Sequence, residues 1–193
     1  MERNNVMYRT MQSALTTRDG ESNEAPVIEG YFAVFDSNYD MGYGMSESVA
    51  PGAFSETLAG DVRALIDHDT RLVLGRTTAH TLELREDSHG LWGKIYINPK
   101  DSEAMNLYER VKRGDVSQCS FGFEILSEET TFPADGEIHW RITKVKLYEV
   151  SCCTYPAYEE TGISARKKDR EQIEKRKSEA WKSALLKKLK GEK

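Results

Sequence analysis

The chain has 193 residues, enough for one ordinary domain with a real core and polar ends. Hydrophobic residues make up 38% and charged residues 31%, the balance of a globular protein, and no apolar run approaches the roughly 20 residues that span a bilayer. The net charge of −5 is unevenly divided: residues 164–193 carry 12 Lys and Arg against 5 Asp and Glu, a net +7, which leaves residues 1–163 at −12.

An acidic body argues against nucleic acid as the main partner. The N-terminus, Met1-Glu2-Arg3-Asn4-Asn5, leads into no apolar signal core, so the expected setting is cytosolic. Cys119, Cys152 and Cys153 are odd in number and two are adjacent. That is no disulfide framework and no zinc spacing, and each reads as a small buried hydrophobe.

Residues 1–163 read as a mostly β domain. Residues 8–16 have moderate strand character, a turn follows at 18–23, and residues 27–35 are strongly strand-like with Tyr31, Phe32, Val34 and Phe35. Asp40-Met41-Gly42-Tyr43-Gly44 lacks the Lys-Ser/Thr ending of a phosphate loop and reads as a flexible loop. Residues 51–58 suggest a short helix. Residues 62–68 alternate, with Val62, Ala64, Ile66 and His68 on one face of an expected strand.

Strands are also expected at 71–77, 81–85 and 91–97, the last two joined as a hairpin through 86–90. One clear helix spans 101–113, capped by Asp101 or Ser102 and ended by Gly114. A strand at 118–126, a loop through 133–136 and a long strand at 137–154 ended by Pro156 complete the body. Residues 164–193 form a second segment: a basic amphipathic helix with Ile173, Ala180, Trp181, Ala184, Leu185 and Leu189 at helical spacing.

Ser120 is the leading chemical candidate. In a strand, Cys119, Phe121 and Phe123 face a core while Ser120 and Gly122 share the other, exposed face, where a glycine leaves room for an incoming backbone. The same pattern also fits an ordinary two-faced strand. His68, in Leu65-Ile66-Asp67-His68-Asp69, sits at a strand end. Imidazole suits a serine base because its ordinary pKa is about 6.5, and Asp67 or Asp69 could orient the ring; a plain surface histidine fits equally. Glu149 is an acid inside a strongly strand-forming stretch, where a buried charge needs a partner. Histidines 80, 89 and 139 are scattered, and no spaced carboxylate makes them a metal site.

In order along the chain, several segments together resemble the tailed-phage prohead protease family. They are Gly30-Tyr31-Phe32-Ala33-Val34-Phe35, Pro51-Gly52-Ala53-Phe54 with Leu58, His68-Asp69 with Leu74-Gly75, Gly90-Leu91-Trp92, Gly114, Ser120-Phe121-Gly122-Phe123, residues 147–151, and Pro156-Ala157. The resemblance implies an α+β, mostly β fold like the herpesvirus capsid-assembly protease: a closed or partly open β-barrel with a few surrounding helices.

It implies a serine endopeptidase working through an acyl-enzyme, with Ser120 as nucleophile, His68 as base and Glu149 as third member. His139 is the runner-up for that third place, because the herpesvirus enzymes use a histidine there. It implies no cofactor and no metal. The implied substrates are the major capsid protein with its scaffold segment, and the protease itself. It implies action inside the procapsid in the host cell cytoplasm, without nucleic acid or membrane, and it is compatible with a homo-oligomer. A catalytically inactive scaffold or assembly chaperone on the same fold is the alternative. A small esterase is disfavoured, since no Gly-x-Ser-x-Gly elbow is present.

Overall fold

The computed structural model describes residues 6–12, 15–20, 25–133, 136–155 and 160–189. It divides into two units, Met1–Tyr158 and Glu159–Lys193. Parts of the expected turn at 18–23, of the loop at 133–136, and the strand-ending Pro156 lie outside the described residues.

The first unit is mostly β. Its strands are β1 (Met7–Gln12), β2 (Thr16–Arg18), β3 (Val27–Val34), β4 (Tyr39–Gly42), β5 (Met45–Val49), β6 (Arg63–Ile66), β7 (Asp69–Arg76), β8 (Leu82–Glu86), β9 (Gly90–Tyr96), β10 (Gln118–Thr131) and β11 (Ile138–Cys153). One helix, α1 (Ser102–Arg113), lies among them. Asp101 caps it by accepting the Glu103 and Ala104 N–H groups, and Gly114 ends it at φ 88°, a left-handed conformation that suits a residue without Cβ. Ala104, Leu107, Tyr108 and Val111 are its buried face.

Seven strands form one sheet and four the other. In the larger sheet the order is β1-β10-β11-β5-β4. The second half of β11 also pairs in parallel with β6, which pairs with β7. The smaller sheet runs β2-β3-β9-β8. No ladder among the described residues closes either sheet on itself. Both sheets and α1 contribute to one apolar cluster, with Phe32, Leu91 and Ile95 from the small sheet and Phe121, Phe123 and Val150 from the large one. Phe54 lies at its centre, 5.5 Å from the Phe121 ring and 6.2 Å from the Phe35 ring, centroid to centroid.

Three local expectations are corrected. Residues 51–58 are a chain of tight turns rather than a helix. Ala53, Ser55 and Thr57 each donate to the carbonyl three residues back, and Gly52 at φ 85° breaks helical geometry. The chain is pinned there by bonds from Phe54 N–H to Glu86 and from Leu147 N–H to Thr57. The glycine-rich loop at 40–44 is the tip of the β4–β5 hairpin. Gly42, Tyr43 and Gly44 all have positive φ, and Asp40 accepts from Gly42 N–H at 2.7 Å. Finally, β6 stops at Ile66, and His68 lies in the turn beyond it instead of on the strand face.

A bulge on β11 reverses the facing of the strand's second half. Gly122 pairs with Glu149 but Phe123 pairs with Leu147, so Tyr148 is passed over. Before it, Val145 and Leu147 face the core; after it, Val150 and Cys152 do. The extra residue therefore moves Glu149, Ser151 and Cys153 together onto the opposite face.

Among the described residues the second unit is one helix, α2 (Glu160–Leu189), with Trp181 and Leu185 exposed.

Replacing Phe54 by Ala is expected to remove about 3–5 kcal/mol of stability, as deletion of a central ring does. Urea unfolding measures it. A loss below about 1 kcal/mol would show that the turns at 51–58 collapse around the void and that the ring is not the keystone of the core.

Candidate active site

The turn between β6 and β7 has only two residues, Asp67 and His68, with φ of 47° and 61°. Two consecutive left-handed residues match the twist of a tight hairpin but are unfavourable for side chains other than Gly, Asn or Asp. The neighbouring β11 holds them there. Asp67 N–H donates to the Cys152 carbonyl at 3.1 Å, and the Asp67 carboxylate accepts from Thr154 N–H at 2.7 Å and from the Thr154 hydroxyl at 3.0 Å. Such a strained conformation persists only where the surroundings hold it in place.

This turn lays the His68 ring over the Glu149-Ser151-Cys153 face of β11. His68 Nδ1 lies 2.7 Å from Glu149 Oε1. The second carboxylate oxygen accepts the Ser151 hydroxyl at 2.5 Å, and the Ser151 oxygen accepts the His68 backbone N–H at 3.3 Å. An ionised carboxylate only accepts, so the ring proton sits on Nδ1 and the neutral ring keeps its lone pair on Nε2. That is the tautomer a general base requires.

Nε2 faces the Cys153 sulfur at 3.8 Å. Burial pushes the Cys153 thiol far up, and Asp67, Cys152 and Glu149 add to it, which favours the thiol over the thiolate at this position. Tyr8, on β1, covers the ring with centroids 4.4 Å apart. Its phenol is raised, first by burial and then by the Glu149 charge.

Gly122 floors the arrangement. A Cβ there would fall 2.4 Å from Glu149 Oε1 and 3.0 Å from the Tyr8 ring.

Of the residues singled out from sequence, His68 and Glu149 are in direct contact. Ser120 lies on the adjoining β10, opposite Ser151 in register and on the same face. It is fully buried, against the expectation of an exposed face, because β1 pairs alongside with Thr10 opposite Ser120. Its hydroxyl donates to the Arg9 carbonyl at 3.0 Å.

His139 is held elsewhere, at the far end of β11, with Ser46 Oγ at 2.8 Å from Nδ1 and Ser48 Oγ at 3.0 Å from Nε2. Neither flanking acid orients the imidazole. Asp67 is committed to Thr154, and the Arg71 side chain and N–H beside Asp69 hold its carboxyl down at about 2.

Sequence reasoning missed Ser151, Tyr8 and the steric role of Gly122. Ser151 was within reach, two residues from Glu149 in a strand and so on its face. Tyr8, over a hundred positions from Gly122, was not. No cluster of three or more metal-binding side chains occurs among the described residues.

A family profile described as "Caudovirus prohead serine protease" matches residues 13–176. The prohead protease of Enterobacteria phage HK97 is 32% identical over 155 residues, which cover 78% of this chain. The chain spans 63% of that relative's length. The solved structure of the bacteriophage T4 capsid assembly protease matches 79% of this chain and 100% of its own at a TM-score of 0.46 and 10% identity.

A proton held between His68 Nδ1 and a carboxylate gives a far-downfield NMR resonance. Gly122→Ala, whose methyl group displaces Glu149, is expected to abolish that resonance while the far-UV circular dichroism stays unchanged. An unshifted resonance would show that the pair does not depend on the space at residue 122.

Proposed function

Since the chain belongs to the caudovirus prohead serine protease family, we propose that it is a serine endopeptidase of capsid maturation, with Ser120 as nucleophile, His68 as general base and Glu149 as the acid that orients the base. The observation that carries this reading is the 2.7 Å contact between His68 Nδ1 and Glu149, which assigns the ring proton to Nδ1 and the basic lone pair to Nε2, on a strand face that Ser120 shares with Ser151. A serine hydroxyl is a weak nucleophile and needs such a base.

In the proposed reaction Ser120 Oγ leaves the Arg9 carbonyl, gives its proton to His68 Nε2 and attacks the scissile carbonyl carbon. Glu149 stabilises the imidazolium that forms, without itself taking the proton. His68 then protonates the leaving amine, and a water activated by His68 releases the acyl product. Ser151 and Asp67 act through position: one holds the Glu149 carboxylate, the other the turn. Donors for the oxyanion add the electrostatic share of the rate.

The substrates in this reading are the major capsid protein with its scaffold segment, and the enzyme itself, within the procapsid in the host cytoplasm. The herpesvirus-protease-like barrel enters as a proposal too, with the two sheets as its halves around their common core. The basic segment 164–193 is read as a docking helix for an acidic scaffold surface.

One observation favours the second reading, an inactive assembly module. Ser120 donates to a backbone carbonyl instead of to His68. A fluorophosphonate probe separates the two, since only an activated Ser120 is labelled.

Ser120→Ala and His68→Ala are each expected to lower hydrolysis of co-expressed capsid protein by about 10³-fold or more, and the double variant no further, because the pair acts as one unit. Glu149→Gln costs less than either, and His139→Ala leaves turnover near wild type. Normal processing by Ser120→Ala removes the nucleophile assignment.

A chain ending at residue 163 is expected to cleave peptides yet enter procapsids poorly, and full-length docking to weaken with salt. Equal incorporation of the two chains discards the docking role.

A further inference from the structure

The N-terminal strand presents an arginine to the proposed nucleophile. Arg9 on β1 turns its guanidinium into the protein, where it is 4% exposed, and forms two bonds to Glu47 of β5: Nε to Oε1 at 2.6 Å and Nη2 to Oε2 at 3.0 Å. The Tyr39 and Phe123 rings flank it at 5.9 and 5.8 Å. Val34, Val49 and Phe121 line the same pocket, with a residual cavity of about 50 Å³. At the other end of the residue, the Arg9 carbonyl oxygen accepts the Ser120 hydroxyl at 3.0 Å. One residue thus has its side chain in a pocket floored by a carboxylate and its carbonyl against the serine.

We propose that β1 lies in the active site as a substrate in cis, that the Arg9–Thr10 peptide bond is a self-cleavage site, and that Glu47 makes the protease specific for Arg or Lys on the acyl side of the bond it cuts. The proposal rests on the Ser120–His68–Glu149 reading of the site.

The chemistry balances without a co-reactant other than water. Ser120 Oγ turns from the Arg9 oxygen to the carbonyl carbon, ~1.2 Å away along the C=O bond, and its proton passes to His68 Nε2. The Arg9–Thr10 C–N bond breaks as His68 returns the proton to the Thr10 nitrogen. Water then splits the Arg9 ester, leaving an Arg9 carboxylate and a free Ser120.

The contacts dictate what the cut would do. Departure of residues 1–9 takes away Tyr8, which covers His68, and empties the pocket. It also leaves Glu47, 1% exposed, without its guanidinium. A buried carboxylate that has lost its cation is strongly unfavourable, and an incoming basic side chain restores the pair. A fork of two parallel bonds favours Arg over Lys. A neutral or acidic side chain does not restore the two-bond fork that Arg9 makes with Glu47, and a polar pocket built for such bonds discriminates against side chains that lack them.

The test uses the full chain. Intact mass and N-terminal sequencing of the wild-type protein are expected to give a species beginning at Thr10. Ser120→Ala is expected to keep residues 1–9, Arg9→Lys to be cut, and Arg9→Gln to be spared at this bond. The double variant Arg9→Gln/Glu47→Gln replaces the charged pair with a neutral one, so a spared bond there is not a consequence of misfolding.

Reporter peptides differing only in Arg, Lys, Gln, Glu or Leu before the cut measure specificity in trans. Wild type is expected to favour Arg and Lys by about 100-fold or more over Leu, and Glu47→Gln to lose that preference. Ser120-dependent hydrolysis without a basic preference, or with residues 1–9 still attached, overturns the proposal and leaves the protease reading standing. Absence of any Ser120-dependent hydrolysis removes both.

Discussion

A buried carboxylate must find donors, and the site is organised around how Glu149 finds them. It is 7% exposed and accepts from His68 Nδ1 on one oxygen and from the Ser151 hydroxyl on the other. An unpaired charge in that position would be costly, so the two donors and the carboxylate stabilise one another's placement. The same pair of bonds settles where the imidazole proton sits, and with it which nitrogen is basic. Gly122 keeps the space clear for this cluster, and Tyr8 seals it from the β1 side.

Backbone geometry brings those groups together at a cost that other contacts offset. The hairpin turn puts a left-handed histidine at its second position, an unfavourable conformation that the bonds of Asp67 to β11 maintain. The bulge at Tyr148 does the converse on β11, since one extra residue converts a core-facing strand into one whose acid faces the histidine. Neither feature raises stability by itself. Each aims a side chain, and the apolar cluster shared by both sheets supplies the surplus that tolerates them.

β1 joins the site to the rest of the protein. It pairs with the Ser120 strand, covers the imidazole through Tyr8 and anchors itself through the Arg9–Glu47 pair on the opposite side of the strand. Ser120 is buried for that reason, and its hydroxyl is engaged by backbone in the resting arrangement. In the proposed reading, an engaged Ser120 hydroxyl suits a protease that stays inactive until it is enclosed with its substrate, which connects the proposed cut after Arg9 to the proposed role in capsid maturation.

Part of the candidate site's geometry was legible in the linear chain. Alternation over residues 118–123 put Cys119, Phe121 and Phe123 in the core and Ser120 with Gly122 on the other face, because side-chain direction in a strand is a local property. The helix at 102–113 followed from its cap residues and apolar spacing, which are local too. The choice between Glu149 and His139 was not legible. Both lie on one strand, and only the pairing of β11 with β6 at one end and with β5 at the other sends Glu149 to His68 and His139 to Ser46 and Ser48. The burial of Ser120 likewise depended on which strand flanks β10, and that strand comes from the other end of the chain. Periodicity determines which way a residue points along its own strand. What it meets there is decided by strand order and by single-residue bulges, which arise from the packing of distant segments and leave no periodic mark on the sequence.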